Sequence, residues 1–425
     1  MERRQLSLAM VGRNEFMGRK VLFIGSVWPE PQSSAGGARL MQLIRLFKSF
    51  GFESHYASAA APSDFASDLA AVGVEAHPIR LNDESFNLWV KTLAPTIVVY
   101  DRFMTEEQFS WRVRTECPNT LHVLETIDLH CLRRARQTAL KKNGAWEDYL
   151  LEKEDSFREI GAILRSDLTL MISDFEMQVL KNFFQVPTAL LFYLPYEVPV
   201  STVDRISYDQ KSHFISIGNF KHEPNWDAVL WLKQEIWPLI RRQLPQANLY
   251  VCGAYPEEKV WQLNQPADGF LVKGRVEDAQ REMGAAKVLL APLRFGAGIK
   301  GKLVESMLVG TPNVTTAVGI EGLGEVDNWN GFVEESPSQI AEAAVRLYND
   351  AELWNEKVSA GDELLKRQFA NKYHYESLRE RVEEISFNLI EHRRKNFMGS
   401  LLNHDLLQRS KYFSKWIEEK EKPRG

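Results

Sequence analysis

The chain has 425 residues, of which 44% are hydrophobic and 26% are charged, and its formal net charge is −5 at pH 7. This length is greater than that at which a single hydrophobic core usually splits, so two domains are expected. The negative net charge gives no general attraction for a phosphate backbone, which excludes nucleic acid as a partner.

Cysteine usage and hydropathy indicate a cytoplasmic protein that does not span a membrane. Cys117, Cys131 and Cys252 include no close pair of the kind that a zinc knuckle or a redox couple needs. No apolar run approaches the roughly eighteen residues of a membrane span. Residues 1–19 are basic but lack an apolar segment followed by a cleavage site, so they are interpreted as a leader and not as a secretory signal.

From residue 20 onward, short apolar runs alternate with amphipathic stretches, which is typical of a parallel sheet covered by helices. The first unit is a strand at Val21–Gly25, a loop rich in Pro, Ser and Gly, and a helix at Arg39–Phe50. Five more strands are predicted at Glu53–Ala57, Thr96–Tyr100, Leu121–Glu125, Leu168–Ile172 and Ala189–Leu194. Residues 20–197 are therefore predicted to form a doubly wound, Rossmann-like domain.

A polar segment at residues 198–211 is predicted to be a linker, because apolar periodicity is lost there. A second alternation follows at residues 212–370, with a long helix predicted at Trp226–Ile240. Its strands are predicted at Phe214–Ile217, Leu249–Cys252, Gly269–Val272 and Val288–Ala291. The fold class is thus α/β, with two successive doubly wound domains.

Residues 371–425 are predicted to be C-terminal helices and a tail. Apolar residues recur there at helical intervals, namely Leu401, Leu402, Leu406, Leu407, Phe413 and Trp416. The pattern favours packing on the body of the protein, and the alternatives are contact with a membrane surface or with a partner. It does not indicate an oligomeric state.

The stretch APLRFGAGIKGKLVESML at residues 291–308 is the most informative, because a strand runs into a glycine-rich loop and then a helix. The loop contains Gly296, Ala297, Gly298 and Ile299. Glycines let backbone amides approach a ligand, and the positive end of the following helix favours phosphate.

Charged residues flank this loop. Lys300, Lys302 and Arg294 add positive charge, and Glu305, one turn into the helix, is placed to bind paired hydroxyls such as those of a ribose. The alternative is a tight turn with solvated lysines. The coincidence of loop, cations and helix start favours a diphosphate site.

Four ordered motifs carry a resemblance to a known family. They are PEPQSSAGG at Pro29–Gly37, DLHCLR at Asp128–Arg133, GNFKHEPNWDA at Gly218–Ala228, and the stretch Pro292–Leu323, which includes PLRFGAGIKGK and GIEGL. Together they resemble the retaining glycosyltransferases often called family 4, or group 1, and within them a subgroup with a PLRxGAGxKGKxxE motif. The resemblance implies the GT-B architecture, in which two Rossmann-like domains face each other across a cleft. It also implies transfer from a nucleoside-diphosphate sugar with retention, without metal or other cofactor.

The resemblance assigns roles by position. Lys300, with Lys302, would neutralise the leaving diphosphate as a catalytic cation, and Glu305 would hold the ribose. Lys221 would give a further phosphate contact. The turn at Gly274, Arg275 and Val276 would face the nucleobase. The N-terminal domain would contribute Gly36, Gly37, Asp128, His130 and Arg133 to the cleft, with His130 as a catalytic or acceptor-positioning residue.

The sequence departs from the wider family at one position. Many relatives carry a second glutamate, separated by seven residues from the equivalent of Glu305, at the position where this chain has Ala297. Glu321 in GIEGL is an alternative carboxylate. Two other functions therefore stay open, a nucleotide-sugar epimerase or hydrolase and a non-catalytic binding subunit. The acceptor would be a glycan, a lipid-linked molecule or a small molecule.

No metal site is predicted, because the nine histidines include no HExxH or similar ligand spacing. Five of them are interpreted as surface or packing residues: His55, His77, His213, His374 and His404.

Overall fold

The computed structural model describes residues 18–152, 154–198, 205–369 and 373–421, and in the last of these ranges it describes no side chain at 406–411 or 421. Almost all of the predicted leader, and residues 199–204 of the predicted linker, lie outside these residues. The described chain forms two compact units. Unit 1 contains residues 18–129, 154–194 and 373–421, and unit 2 contains residues 130–152, 195–198 and 205–369.

Each unit is built on one parallel sheet. In unit 1 the strand order is β3-β2-β1-β4-β5-β6-β7, and in unit 2 it is β10-β9-β8-β11-β12-β13. The strands are β1 (Lys20–Gly25), β2 (Glu53–Ser58), β3 (Glu75–Pro78), β4 (Ile97–Asp101), β5 (Leu121–Glu125), β6 (Leu168–Met171), β7 (Leu191–Tyr193), β8 (Ser212–Ile217), β9 (Leu249–Cys252), β10 (Phe270–Gly274), β11 (Ala286–Ala291), β12 (Asn313–Thr315) and β13 (Gly331–Val333). Strand order reverses at β1/β4 and at β8/β11, and the carboxyl edge at such a point is where doubly wound sheets bind ligands.

Helices connect the strands and cover the sheets. They are α1 (Ala35–Ser49), α2 (Ser85–Leu93), α3 (Phe103–Glu116), α4 (His130–Lys142), α5 (Glu154–Arg165), α6 (Asp174–Asn182), α7 (Glu223–Trp231), α8 (Trp237–Gln243), α9 (Glu258–Trp261), α10 (Ala279–Ala285), α11 (Gly301–Leu308), α12 (Ala317–Ile320), α13 (Pro337–Asn349), α14 (Ala351–Phe369), α15 (Tyr373–Phe387), α16 (Leu389–Lys395) and α17 (Phe397–Glu421). Helix α4 belongs to unit 2, although its sequence neighbours lie in unit 1.

One predicted helix differs in detail from the structure, and one strand of unit 1 was not predicted. The helix predicted at Trp226–Ile240 is divided into α7 and α8 by a π-helical turn at Leu232–Ile236. Pro238 lies in the first turn of α8 and has no amide hydrogen to donate back, so the regular bonding pattern cannot continue through it. Strand β3 was not predicted, because Glu75–Pro78 has no apolar run; its pairing with β2 forms it.

The C-terminal helices pack on unit 1, as the apolar periodicity favours. In α16, Arg393 forms an ion pair with Asp167 at 2.8 Å, and in α17 Glu418 pairs with Arg112 at 2.9 Å. Phe413 and Trp416 of α17 nevertheless stay 62% and 57% exposed, so these two residues of the apolar pattern are not buried by the packing. Within the described part of the chain, no helix is both long and apolar enough to cross a membrane.

Candidate functional site

The glycine loop, defined here as residues 292–300, joins β11 to α11 in unit 2. Gly298 adopts a left-handed φ of +64°, which favours glycine. No described side chain caps the start of α11, and its first turn carries no acidic residue. Thr315 Oγ1 donates to the carbonyl of Ala291 at 2.7 Å and Thr316 Oγ1 to that of Leu293 at 2.5 Å, which holds the loop to β12. The helix start is thus fixed in place with amides that can bind an anion.

Lys300 is a buried cation within this loop. Its side chain is 6% exposed, and its ammonium donates to the carbonyl of Gly298 at 2.8 Å and lies 3.8 Å from Glu321 Oε2. Glu321 is also bound by both terminal nitrogens of Arg136, each at 2.6 Å. Arg136 in addition donates to the carbonyl of Gly296 at 2.9 Å. The Glu321 carboxylate therefore interacts with two cations beside the loop.

Lys302 lies in the first turn of α11 and has a neutral partner. Its ammonium donates to Asn225 Oδ1 at 2.7 Å, and Asn225 in turn donates to the carbonyl of Asn219 at 2.9 Å. No carboxylate of the described residues forms an ion pair with it. Burial lowers the pKa of Lys302 to about 8, an effect that the charge of Glu305 opposes. Burial likewise raises the pKa of Glu305, and the positive charge of Lys302 opposes that rise.

Two motifs that are far apart in sequence meet at this point. Arg294 forms a two-bond ion pair with Asp227 of α7, at 2.9 and 2.5 Å. Lys302 binds Asn225, which lies two residues before Asp227 on α7. A Cβ at Gly218 would lie 2.8 Å from the Lys302 ammonium, so glycine at that position makes room for it. The GNFKHEPNWDA motif thus positions the cations of the glycine loop.

The other residues of unit 2 that were predicted to contact the donor lie outside the glycine loop. Lys221 is exposed, with its ammonium 3.7 Å from the centre of the Tyr255 ring. Gly274 ends β10 with a φ of +67°, and a Cβ there would lie 2.7 Å from the Trp261 ring. Arg275 and Val276 follow it and are half-buried.

In unit 1, the predicted glycines lie at the β1/β4 reversal. Ser34 Oγ caps α1 by accepting from the Gly37 amide at 3.0 Å. A Cβ at Gly37 would lie 2.6 Å from the Glu30 backbone, and one at Gly36 would lie 2.9 Å from a terminal nitrogen of Arg102. Arg102 and Ile127 both have positive φ, at 72° and 61°. Strained non-glycine residues of this kind cluster at functional sites.

The DLHCLR segment is divided between the units. Asp128 is buried and belongs to unit 1, whereas His130 begins α4 of unit 2. His130 is buried and Arg133 is half-buried. The chain therefore passes from unit 1 to unit 2 within this segment.

Sequence reasoning missed three residues that organise the glycine loop: Arg136, Asn225 and Asp227. The last two lie within a motif that was recognised, so their spacing on α7 was the available signal. Arg136 gave none, because it lies outside the recognised motifs and its partners are 160 and 185 residues away.

Comparison with known proteins gives a family match over the part of the chain that contains this site. Residues 211–350, about a third of the 425-residue chain, match the sequence profile of the family described as Glycosyl transferases group 1. These residues include the glycine loop and the GNFKHEPNWDA motif. No curated protein sequence matches the chain significantly.

Solved structures establish the fold. Anabaena HepE in complex with UDP and glucose superposes with a TM-score of 0.62 at 13% identity, over 86% of this chain and 98% of that chain. A sucrose-phosphate synthase from Thermosynechococcus elongatus gives 0.62 at 14% identity, over 88% of this chain and 100% of that chain. The fold is of the GT-B type.

A third GT-B structure is larger than this chain. A mutant of S. aureus TarM, in complex with Fondaparinux, alpha-GlcNAc-glycerol and UDP, gives a TM-score of 0.55 at 15% identity. The match covers 71% of this chain and 58% of that chain, so the present chain spans little more than half of TarM. The predicted GT-B fold class, with two Rossmann-like sheets and C-terminal helices, is confirmed.

Proposed function

We propose that this protein transfers a sugar from a nucleoside-diphosphate sugar to an acceptor, with retention of anomeric configuration and without a metal ion. The observation that carries the proposal is the pair of lysines, Lys300 and Lys302, within one turn of the start of α11. Burying cations is costly unless anions compensate them. Lys300 is buried 3.8 Å from Glu321, whereas half-buried Lys302 donates to Asn225 and forms no ion pair with a described carboxylate. A diphosphate supplies such an anion.

The chemistry follows from charge placement. As the bond between the sugar and the diphosphate breaks, negative charge develops on the leaving phosphate, and fixed cations and amides stabilise it. Glu305, half-buried in the same helix, can accept hydrogen bonds from both hydroxyls of a ribose. The glycine loop contains no carboxylate or other strong nucleophile, which favours direct attack by the acceptor hydroxyl on the face that the diphosphate leaves.

The acceptor is proposed to bind through residues of the DLHCLR segment and the β1/β4 edge. His130 is the proposed acceptor-positioning residue, and the resemblance implies acceptor-side roles for Asp128, Arg133, Gly36 and Gly37. The acceptor class is a glycan, a lipid-linked molecule or a small molecule. UDP is the first nucleotide to test, because the HepE and TarM complexes contain it.

The test is thermal unfolding of the full chain against UDP, GDP, ADP, CMP and dTDP sugars. A ligand that binds only the native state adds about 2.7 kcal/mol of stability at a hundred times its dissociation constant. We expect one nucleotide to raise the melting temperature in the wild type but not in Lys300→Ala. The control is Lys366→Ala, which removes an equal charge from a lysine that is 70% exposed on α14.

Reaction products then separate the remaining functions. Transfer to an acceptor with retained configuration supports the proposal, and an inverted product overturns its stereochemistry. A new sugar nucleotide formed without acceptor indicates an epimerase. Binding of the nucleotide without turnover indicates a binding subunit. No shift with any nucleotide overturns the assignment of the glycine loop itself.

The low pKa of Lys302 predicts that donor binding depends on pH. Only the protonated amine attracts a diphosphate, and its pKa of about 8 means that the charge is lost as the pH rises through 8. We expect the dissociation constant for the nucleotide to rise up to about tenfold per pH unit above pH 8. Titration calorimetry between about pH 7 and pH 9.5 measures it.

The matched variant for this prediction is Lys302→Met, which keeps the aliphatic stem and removes the charge. It should bind more weakly than the wild type at pH 7, and the difference should shrink towards pH 9.5. Parallel pH profiles for the two proteins would show that another group causes the dependence.

A further inference from the structure

The first strands of unit 1 carry a repeated pattern that the donor site does not use. Strand β2 begins Glu53-Ser-His55, and β3 begins Glu75-Ala-His77. The strands are parallel neighbours, with His55 opposite Glu75 and Ala57 opposite His77. Since side chains alternate between the faces of a sheet, both histidines and both glutamates project from the same face.

The side chains converge closely. His55 Nδ1 lies 3.1 Å from His77 Nε2 and 3.4 Å from Glu75 Oε2, and His77 Nε2 lies 3.7 Å from Glu75 Oε1. Ligand atoms around a tetrahedral zinc ion, at about 2.0–2.1 Å from the metal, are separated from one another by roughly 3.4 Å. The three distances, of which the two to Glu75 involve different carboxylate oxygens, are close to this spacing, and one ligand atom from each residue lies within 4.8 Å of the others. An ion therefore fits among the three side chains with little rearrangement.

A hydrogen bond to Glu53 orients His55 for metal binding. Its carboxylate Oε1 lies 3.1 Å from His55 Nε2, and because a carboxylate only accepts, that nitrogen carries the proton. The lone pair of His55 is then on Nδ1, which faces His77 and Glu75. A carboxylate that orients a histidine in this way is a recurrent partner of metal-binding histidines.

Burial and charge favour a divalent ion as the occupant. The side chain of His55 is 2% exposed and that of His77 is 18% exposed, while Glu75 is 65% exposed and open to solvent. The ring of Trp89 lies 4.8 Å from that of His77 and covers one side. With both histidines neutral the four side chains carry two negative charges, which a dication neutralises.

We propose that His55, Glu75 and His77 bind one divalent transition-metal ion, with Zn²⁺ as the expected species. A set of two imidazoles and one carboxylate suits zinc, and water can complete the tetrahedron. The ligands come from two strands, so the ion fastens the four-residue edge strand β3 to β2. The role is structural, lies within unit 1 and is independent of the proposed sugar transfer.

The test uses the full chain after treatment with a chelator and desalting. Titration with ZnCl₂ alone is expected to give one ion per chain and a higher melting temperature. Titration with Co²⁺ is expected to give the intense visible absorption of a four-coordinate site. Glu75→Gln and His77→Gln should each lose this absorption, and Glu53→Gln should lower zinc affinity by about 10–100-fold.

Two features keep the test decisive. Glu75 is largely exposed, so Glu75→Gln is expected to fold normally, which circular dichroism checks. The control is His374→Gln, which removes a half-buried histidine of unit 1 that lies outside the cluster. If the wild type binds no stoichiometric metal, the cluster is a histidine pair joined by a hydrogen bond. If Glu75→Gln and His77→Gln bind zinc as tightly as His374→Gln does, the ion lies elsewhere. Either result overturns the proposal.

Discussion

Replacing Lys300 by Ala is expected to lower kcat for sugar transfer by about one to two decades. The ammonium is a buried donor beside the uncapped start of α11, where the leaving diphosphate is proposed to lie. A charge-assisted hydrogen bond is worth about 1.5–3 kcal/mol, which corresponds to that loss of rate. Steady-state kinetics with a saturating donor measures the effect.

The shape of the side chain can be separated from its charge. Lys300→Met keeps most of the buried stem, so a loss equal to that of Lys300→Ala assigns the effect to the ammonium. The control is again Lys366→Ala, which should turn over like the wild type. Wild-type turnover in both Lys300 variants would mean that the glycine loop does not bind the diphosphate.

Replacing Arg136 by Met is expected to weaken donor binding and turnover by a hundredfold or more. Arg136 holds Glu321 by two charge-assisted hydrogen bonds, and such bonds are worth about 1.5–3 kcal/mol each. In the variant, Glu321 is left with Lys300, whose ammonium lies 3.8 Å away. Glu321 would then pair with Lys300 and cancel the charge that the diphosphate needs. Gly296 would also lose the contact that holds its carbonyl.

A double variant tests this explanation directly. In Arg136→Met with Glu321→Gln, no carboxylate competes for Lys300, so donor affinity should recover in part. Calorimetry with the nucleotide compares the wild type, both single variants and the double variant as a cycle. If the double variant binds no better than Arg136→Met, Arg136 acts through the position of the loop alone.

A contact of Arg294 connects two of the motifs that were recognised in the sequence. Arg294 was predicted as a phosphate contact, and its guanidinium pairs with Asp227. That prediction stays open, since a guanidinium has further donors, but the observed contact joins the loop to α7. The GNFKHEPNWDA motif and the glycine loop therefore form one hydrogen-bonded structure, and variation in either would disturb both.

Sequence reasoning identified the elements whose signal is local. Strand β1, helix α1 and the glycine loop before α11 were all predicted, because apolar periodicity and glycine spacing are properties of consecutive residues. The alternation of strands and helices predicted two doubly wound α/β domains, and the resemblance of the four motifs implied the GT-B architecture. Sequence reasoning also identified most of the charged residues around the glycine loop.

Only the tertiary structure decided which distant residues meet. Strand β3 is polar and forms through pairing with β2, so no periodicity marked it. Arg136 reaches Glu321 across 185 residues, and His55 meets His77 from a neighbouring strand. The sequence by itself determined the local elements and the glycine-rich loop, because these depend on neighbours in the chain. The charge balance of that loop and the histidine cluster depend on side chains that folding brings together, which spacing along the chain does not encode.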